Sequence, residues 1–153
     1  MDAFTLLKTD HEEAAQMFQQ LEATEAKDEA LRTQLFGQLQ QALEVHTQIE
    51  EDIFYPALKQ EAETREIVLH AYHEHDEIKD LLEQTAATPV TDEDWSDMLA
   101  ELKEAVEHHV EEEEGEMFDE ARDVLSEQQL NDLGTRMQQE KQRLQTQKAA
   151  SAG

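Results

Sequence analysis

The chain carries seven histidines and no cysteine, so any metal it holds is bound through imidazole nitrogen and carboxylate oxygen. Disulfides, iron–sulfur clusters and thiolate sites are excluded. Two histidines open a His-x-x-x-Glu spacing, His46 with Glu50 and His109 with Glu113. Residues four apart share one helix face at roughly 6 Å, close enough for one ion to take the imidazole while the carboxylate leans toward a second. Di-iron carboxylate proteins built in bundle cores use the related Glu-x-x-His spacing; here the order is reversed.

The two pairs are halves of a repeat. Laying DHEEAAQMFQQLE over EHDEIKDLLEQTA aligns His11 with His75 at an offset of 64, and laying HTQIEEDIFY over HVEEEEGEMF aligns His46 with His109, Glu50 with Glu113 and Glu51 with Glu114 at an offset of 63. A repeated helix hairpin implies halves related by an approximate two-fold axis. Each half then offers one histidine from its first helix and a His-x-x-x-Glu from its second. The expected metal ligands are therefore His11, His46, Glu50, His75, His109 and Glu113.

Nitrogen and oxygen donors without sulfur suit iron or manganese, with zinc less suited to two bridging carboxylates. Two octahedral ions offer roughly twelve positions. Four histidines fill four, two bridging glutamates four more and a bridging oxo or hydroxo group two, which leaves about two open for a ligand. The expected cofactor is a pair of non-haem iron ions with such a bridge, Mn or Zn being the alternatives.

A lone histidine on an apolar face is ordinarily a hydrogen-bonded core residue, and Glu111 to Glu114 could be a solvated run. A buried carboxylate costs several kcal/mol unless it is paired or metal-bound, which separates Glu50 and Glu113 from that reading. Glu51 and Glu114 stand beside the ligands, either supporting them or solvated. His108 reads as exposed. His70 is a further candidate ligand, since a π-bulge would bring residues five apart onto one face with His75; His73 has less claim. Tyr55 and Tyr72 could reach the cavity or merely pack.

These residues need helices to position them. Glycine (4) and proline (2) are scarce, and apolar residues recur at steps of three and four. Phe4, Leu7, His11, Ala14, Phe18 and Leu21 line a first helix over 3–23. Leu31, Leu35, Leu39, Ala42, His46, Ile49, Glu50 and Ile53 line a second from Asp28, which Pro56 should bend or end. Ile67, Val68, Ala71, His75, Ile78 and Leu82 line a third over 62–86. A fourth, capped by Thr91, presents Leu99, Leu102, Val106, His109, Glu113 and Met117. Ser126 and Gln129 read as a capping box opening a fifth, with Leu130, Leu133, Met137 and Leu144 apolar. The expected fold is all-α: an up-down-up-down four-helix bundle over 1–125, an additional C-terminal helix over 126–148 that packs across the bundle or on a second subunit, and a frayed tail at 149–153.

Thirty-eight acidic against 12 basic residues give a net charge of −26. Such a surface repels nucleic-acid phosphates and anionic membranes, and no run approaches the ~18 apolar residues of a membrane span. The expectation is a cytoplasmic protein, monomer or homodimer, with neither nucleic acid nor membrane as partner.

Taken together, DHEE at His11, HTQIEEDIFYPAL at His46, EHDEIKDLL at His75 and HHVEEEEGEMF at His109 resemble the hemerythrin-like, or HHE cation-binding, family over roughly residues 1–140. The resemblance implies a non-haem di-iron centre on the six residues above. Oxygen-carrying hemerythrins pair His-x-x-x-His on the third helix and end the fourth with His-x-x-x-x-Asp. Here Ala71 replaces the first of that pair, and His109-x-x-x-Glu113 replaces the second motif. The more carboxylate-rich set favours oxidised metals and points away from oxygen storage, toward sensing, detoxification or iron and stress handling with O2, peroxide or NO as the small ligand. A catalase-like di-iron enzyme and a metal-stabilised helical interaction module are the alternatives.

Overall fold

The computed structural model describes residues 1–152 and is helical throughout: α1 (Ala3–Glu22), α2 (Glu29–Ile49), a π-helical turn π1 (Glu50–Phe54), α3 (Tyr55–Lys59), α4 (Arg65–Ala87), α5 (Glu93–Glu112), π2 (Glu113–Met117), α6 (Phe118–Val124) and α7 (Glu127–Ala152). Helix α1 packs on α2 and α4 on α5, while α7 lies across α1 and α2. The four long antiparallel rods are thus α1, α2 to α3, α4, and α5 to α6. The fifth helix docks on its own bundle, and it continues past the point where the sequence suggested fraying; residue 153 lies outside the described residues. No described helix is long and apolar enough to cross a membrane.

Caps decide the boundaries. Asp2 accepts the Thr5 amide to open α1, and Ser126 and Gln129 exchange the two bonds of the expected capping box. Helix α5 starts on Asp92, which accepts from the Asp94 amide, rather than on Thr91. In α2 the register differs by one at its start. Leu31 is exposed and Arg32 is buried, donating to the Thr24 hydroxyl and the Val90 carbonyl and stacking on Trp95.

Pro56 does not end the second rod. Its ring clashes with the preceding turn of an α-helix, and the wider π1 turn just before it lets the rod continue to Lys59. Proline is not the common cause, because π2 forms without one. What π1 and π2 share is a buried glutamate at the first position, Glu50 and Glu113.

Two apolar layers result. One contains Phe4, Leu7, Val45, Ile49, Phe54, Leu58, Ala71, Met117 and Phe118, together with Leu130, Leu133, Met137 and Leu144 of α7. The other contains Ala14, Phe18, Phe36, Leu39, Leu43, Ile78, Trp95, Leu99, Leu102 and Val106. Along each rod a ligand candidate falls between the layers, His11 between Leu7 and Ala14 and His75 between Ala71 and Ile78. Close approach of α7 depends on Gly134, where a Cβ would meet the Met1 carbonyl and come within 2.9 Å of the Ala3 nitrogen.

Candidate metal centre

Between the apolar layers lie four histidines and two glutamates, all buried: His11, His46, Glu50, His75, His109 and Glu113. Their donor atoms form two groups able to hold an ion, His11, His46, Glu50 and Glu113 on one side and Glu50, His75 and His109 on the other. Glu50 Oε1 is 3.1 Å from both His46 Nε2 and His75 Nε2. Glu113 places Oε1 3.1 Å from His11 Nε2 and Oε2 3.3 Å from His109 Nε2. Each carboxylate therefore spans both groups.

Every one of the four imidazoles is fixed from behind. Nδ1 faces a carboxylate in each case: Glu114 for His11 at 2.6 Å, Asp10 for His46 at 2.9 Å, Glu51 for His75 at 2.8 Å and Glu74 for His109 at 2.9 Å. A carboxylate only accepts, so Nδ1 carries the proton and Nε2 turns its lone pair inward, the orientation a metal requires. Glu51 and Glu114 hydrogen-bond two of the candidate histidines, as one of the two sequence readings has it. The sequence reading does not find Asp10 and Glu74, although each directly precedes a candidate histidine at the same place in the repeat.

The inward atoms do not all satisfy one another. Four of the five buried side-chain atoms without a hydrogen-bond partner among the described residues are His11 Nε2, His46 Nε2, Glu50 Oε2 and Glu113 Oε1. A buried unpaired polar atom costs about 1–3 kcal/mol, so four of them converging on one volume fit a cation. His75 Nε2 and His109 Nε2 also face each other at 3.2 Å, which two lone pairs tolerate only with a proton or a cation between them.

Charge reinforces this. Burial pulls the His46 imidazole down, but the charge of Glu50 and the hydrogen bond to Asp10 outweigh it and raise it to about 10. Burial likewise opposes charge on His109, and Glu113 beside it reverses the sign and raises it well above its ordinary value. Burial pushes Glu50 up, yet the His46 charge and nearby hydrogen bonds hold it well below the usual carboxylate range. The cluster stabilises positive charge, which protons or metal ions can provide.

Tyr55 enters the site. Its hydroxyl donates to Glu113 Oε2 at 2.6 Å and lies 3.1 Å from His75 Nε2 and 3.2 Å from His109 Nε2. In a plain α-helix a residue five beyond Glu50 is rotated by about 140° from it; the π1 turn, closed by the Tyr55 amide on the Glu50 carbonyl, brings the ring to the same face. Burial and then the Glu113 and Glu50 charges hold the phenol well above its ordinary value, so it keeps its proton. Tyr72 stops short and packs edge-on against Tyr55.

Helix α4 has no π-bulge, so His70 stays outside the buried groups. It is exposed and lies 3.0 Å from Glu112. His108 is exposed, as expected.

A cavity of about 40 Å³ lies beside His11, His46 and His109, lined by Ala14, Leu43, Ile78 and Val106 and by Lys141 of α7. A water-sized molecule needs about 10–15 Å³ by this measure. The cavity thus has room for a diatomic or peroxide.

Among known proteins, residues 2–121 match the family described as hemerythrin HHE cation binding domain. A DNA nickase from Nostoc sp. is 28% identical over 148 residues, 95% of this chain and 40% of the nickase, so the chain spans about two fifths of that relative's length. A crystal structure of a hemerythrin HHE cation binding domain-containing protein from Mycobacterium kansasii resembles this fold with a TM-score of 0.86 at 26% identity, covering 96% of this chain and 89% of that one.

Proposed function

The chain belongs to the hemerythrin HHE cation-binding domain family, and from that premise we propose that it holds two non-haem iron ions on His11, His46, Glu50, His75, His109 and Glu113 and binds or reacts with O2, peroxide or NO. The observation that carries this reading is the pair of imidazole–carboxylate groups joined through Glu50, with Glu113 spanning the same two groups. A nitrogen- and oxygen-only set with two shared carboxylates suits iron or manganese better than zinc. When bound, a pair of redox-active ions supplies the electrons that a diatomic ligand or peroxide exchanges.

The chain's own residues account for the rest. The four outer carboxylates hold each imidazole in one tautomer and orientation. The apolar walls of the cavity limit water at the centre, and Lys141, paired with Asp10, is among the residues that line it. Tyr55, protonated and 2.6 Å from Glu113, would offer a hydrogen bond to an oxygen ligand held between the two groups. That placement favours peroxide turnover as the second reading, a catalase-like enzyme.

The apolar side chains of α7 are buried against its own bundle, which occupies the surface an interaction module would use. The nickase activity named for the Nostoc relative is not carried over, because a chain of net charge −26 opposes approach to DNA phosphates. A cytoplasmic monomer or homodimer completes the proposal.

Metal analysis with an optical spectrum before and after O2, peroxide and NO tests it. About two iron ions per chain and a ligand-dependent spectrum are expected. A purified chain that takes up less than one iron would overturn it. Oxygen release over many turnovers of added peroxide selects the enzyme, and a single stoichiometric oxidation selects the sensor or carrier.

A further inference from the structure

The repeat relates more than the buried ligands. At the same offsets, Leu6 corresponds to His70, Asp10 to Glu74, Val45 to His108 and Ile49 to Glu112. On the first pair of helices Leu6, Val45 and Ile49 are buried in one apolar cluster with Met137 and Leu144 of α7. There the outer oxygen of Asp10 receives the Lys141 ammonium at 2.5 Å. On the second pair the equivalent face is open and polar, with His70 57% and His108 63% exposed at their side chains.

On that open face His70, Glu74 and Glu112 bring one donor atom each within 4.8 Å of one another, and His108 contacts the same two carboxylates from the side. His70 Nε2 is 3.0 Å from Glu112 Oε2 and 3.5 Å from Glu74 Oε2. His108 Nε2 is 3.1 Å from Glu112 Oε1 and 3.4 Å from Glu74 Oε2. Both are again His-x-x-x-Glu pairs, one on α4 and one on α5. Isolated surface ion pairs contribute little to stability and give no reason for two imidazoles to converge on the same two carboxylates. One imidazole nitrogen and two carboxylate oxygens already in place, with an exposed second imidazole beside them that a rotation can bring in, are by contrast a donor set for a four-coordinate ion.

We propose that His70, Glu74, His108 and Glu112 form a surface site for one divalent first-row transition-metal ion, separate from the buried centre and standing where Lys141 stands on the other half. The ion takes the part of the ammonium: a positive charge on the outer oxygen of the carboxylate whose inner oxygen orients a ligand histidine. Glu74 Oε1 lies 2.9 Å from His109 Nδ1 while Oε2 faces the surface site, so one carboxylate touches both. The open side leaves room for water in any further position the ion requires. This inference goes beyond the di-iron reading and does not rest on it.

The test uses the full chain, first saturated with iron under reducing conditions, then titrated with zinc(II) alone by calorimetry, beside the His70→Ala/His108→Ala variant treated identically. Both substituted side chains are exposed, and matching circular dichroism spectra establish that the variant folds. One more zinc equivalent is expected on the wild type than on the variant, with equal iron contents. Zinc should also shift the imidazole NMR resonances of His70 and His108. Equal zinc stoichiometry in the two proteins, or zinc binding that leaves those resonances in place, would overturn the site. Because the readout is the difference between the two proteins, it stands even if the buried centre takes up no iron.

Discussion

Helices α1 to α3 and helices α4 to α6 turn the same groups inward and opposite surfaces outward. Inside, His11, His46 and Glu50 match His75, His109 and Glu113, and the supporting carboxylates Asp10 and Glu51 match Glu74 and Glu114. Outside, the first half is apolar and covered by α7, whereas the second carries His70, His108 and Glu112 in the open. The inner groups share a single volume, so changing any one leaves buried atoms of both halves without partners. The outer faces have no such coupling and could diverge, one becoming a docking surface for a helix.

The largest expected effect comes from removing that helix. Ending the chain after Leu125 discards Leu130, Leu133, Met137 and Leu144 and bares Leu6, Val45 and Ile49. Four buried side chains at about 1.5–3 kcal/mol each amount to about 6–12 kcal/mol, comparable with the ~5–15 kcal/mol that holds a typical domain folded. The truncated chain is expected to lack a cooperative thermal transition by circular dichroism. Melting within about 5 °C of the full chain would show that α7 is an accessory to the first half rather than part of its core.

Next in size are Glu50→Gln and Glu113→Gln. Loss of an outer carboxylate at a metal site typically costs 10–100-fold in affinity, and loss of a carboxylate that spans both groups should exceed about 100-fold. Metal content after dialysis is expected to fall to one ion or fewer per chain in both variants. Full retention in one of them would mean that the halves are equivalent in sequence and not in chemistry.

How much of this could be read in advance follows from geometry. The six inward residues were legible because helical periodicity puts them on the apolar stripe and the repeat doubles each one. Asp10 and Glu74 are one residue off that stripe, rotated by about 100°, and reach a neighbouring histidine only because of how closely the rods pack. The π1 and π2 turns carry no compositional mark, so the sequence allows a bulge beside His70, where none forms, and does not decide between packing and the cavity for Tyr55. Arg32 took the interior place expected of Leu31 because Trp95 and the Val90 carbonyl, distant in sequence, receive its guanidinium.

A smaller effect concerns pH. In metal-free protein the positive charge comes from imidazolium, and His46 is raised from an ordinary 6.5 to about 10. A raised imidazole contributes stability that is complete below pH 6.5 and lost as pH climbs through about 10. His75 and His109 are raised as well and add in the same direction from the second half. The melting temperature of metal-free protein should therefore fall between pH 6.5 and 10, while that of the metal-loaded protein falls less over the same range. Parallel curves would remove the link between protons and metal at the centre.

The smallest expected effect belongs to a position at the metal centre where the halves differ. Tyr55 corresponds in the repeat to Phe118, whose ring is buried and stacks on Phe4. Tyr55 donates to Glu113 Oε2, so Tyr55→Phe should cost the metal-free protein about 1.5–3 kcal/mol, as expected for a lost hydrogen bond to a charged group. The approximate two-fold axis would aim a hydroxyl on Phe118 at Glu50, whose Oε2 has no partner among the described residues. A buried hydroxyl is costly only when unpaired, so Phe118→Tyr should lie within about 1 kcal/mol of wild type in thermal melting and retain both metal ions. A loss several times larger would show that the symmetry ends at the imidazoles and that π1 and π2 aim their fifth residues differently. A neutral result would mean that one hydroxyl can be presented from either half, and that its place beside His75 and His109 reflects a choice of side.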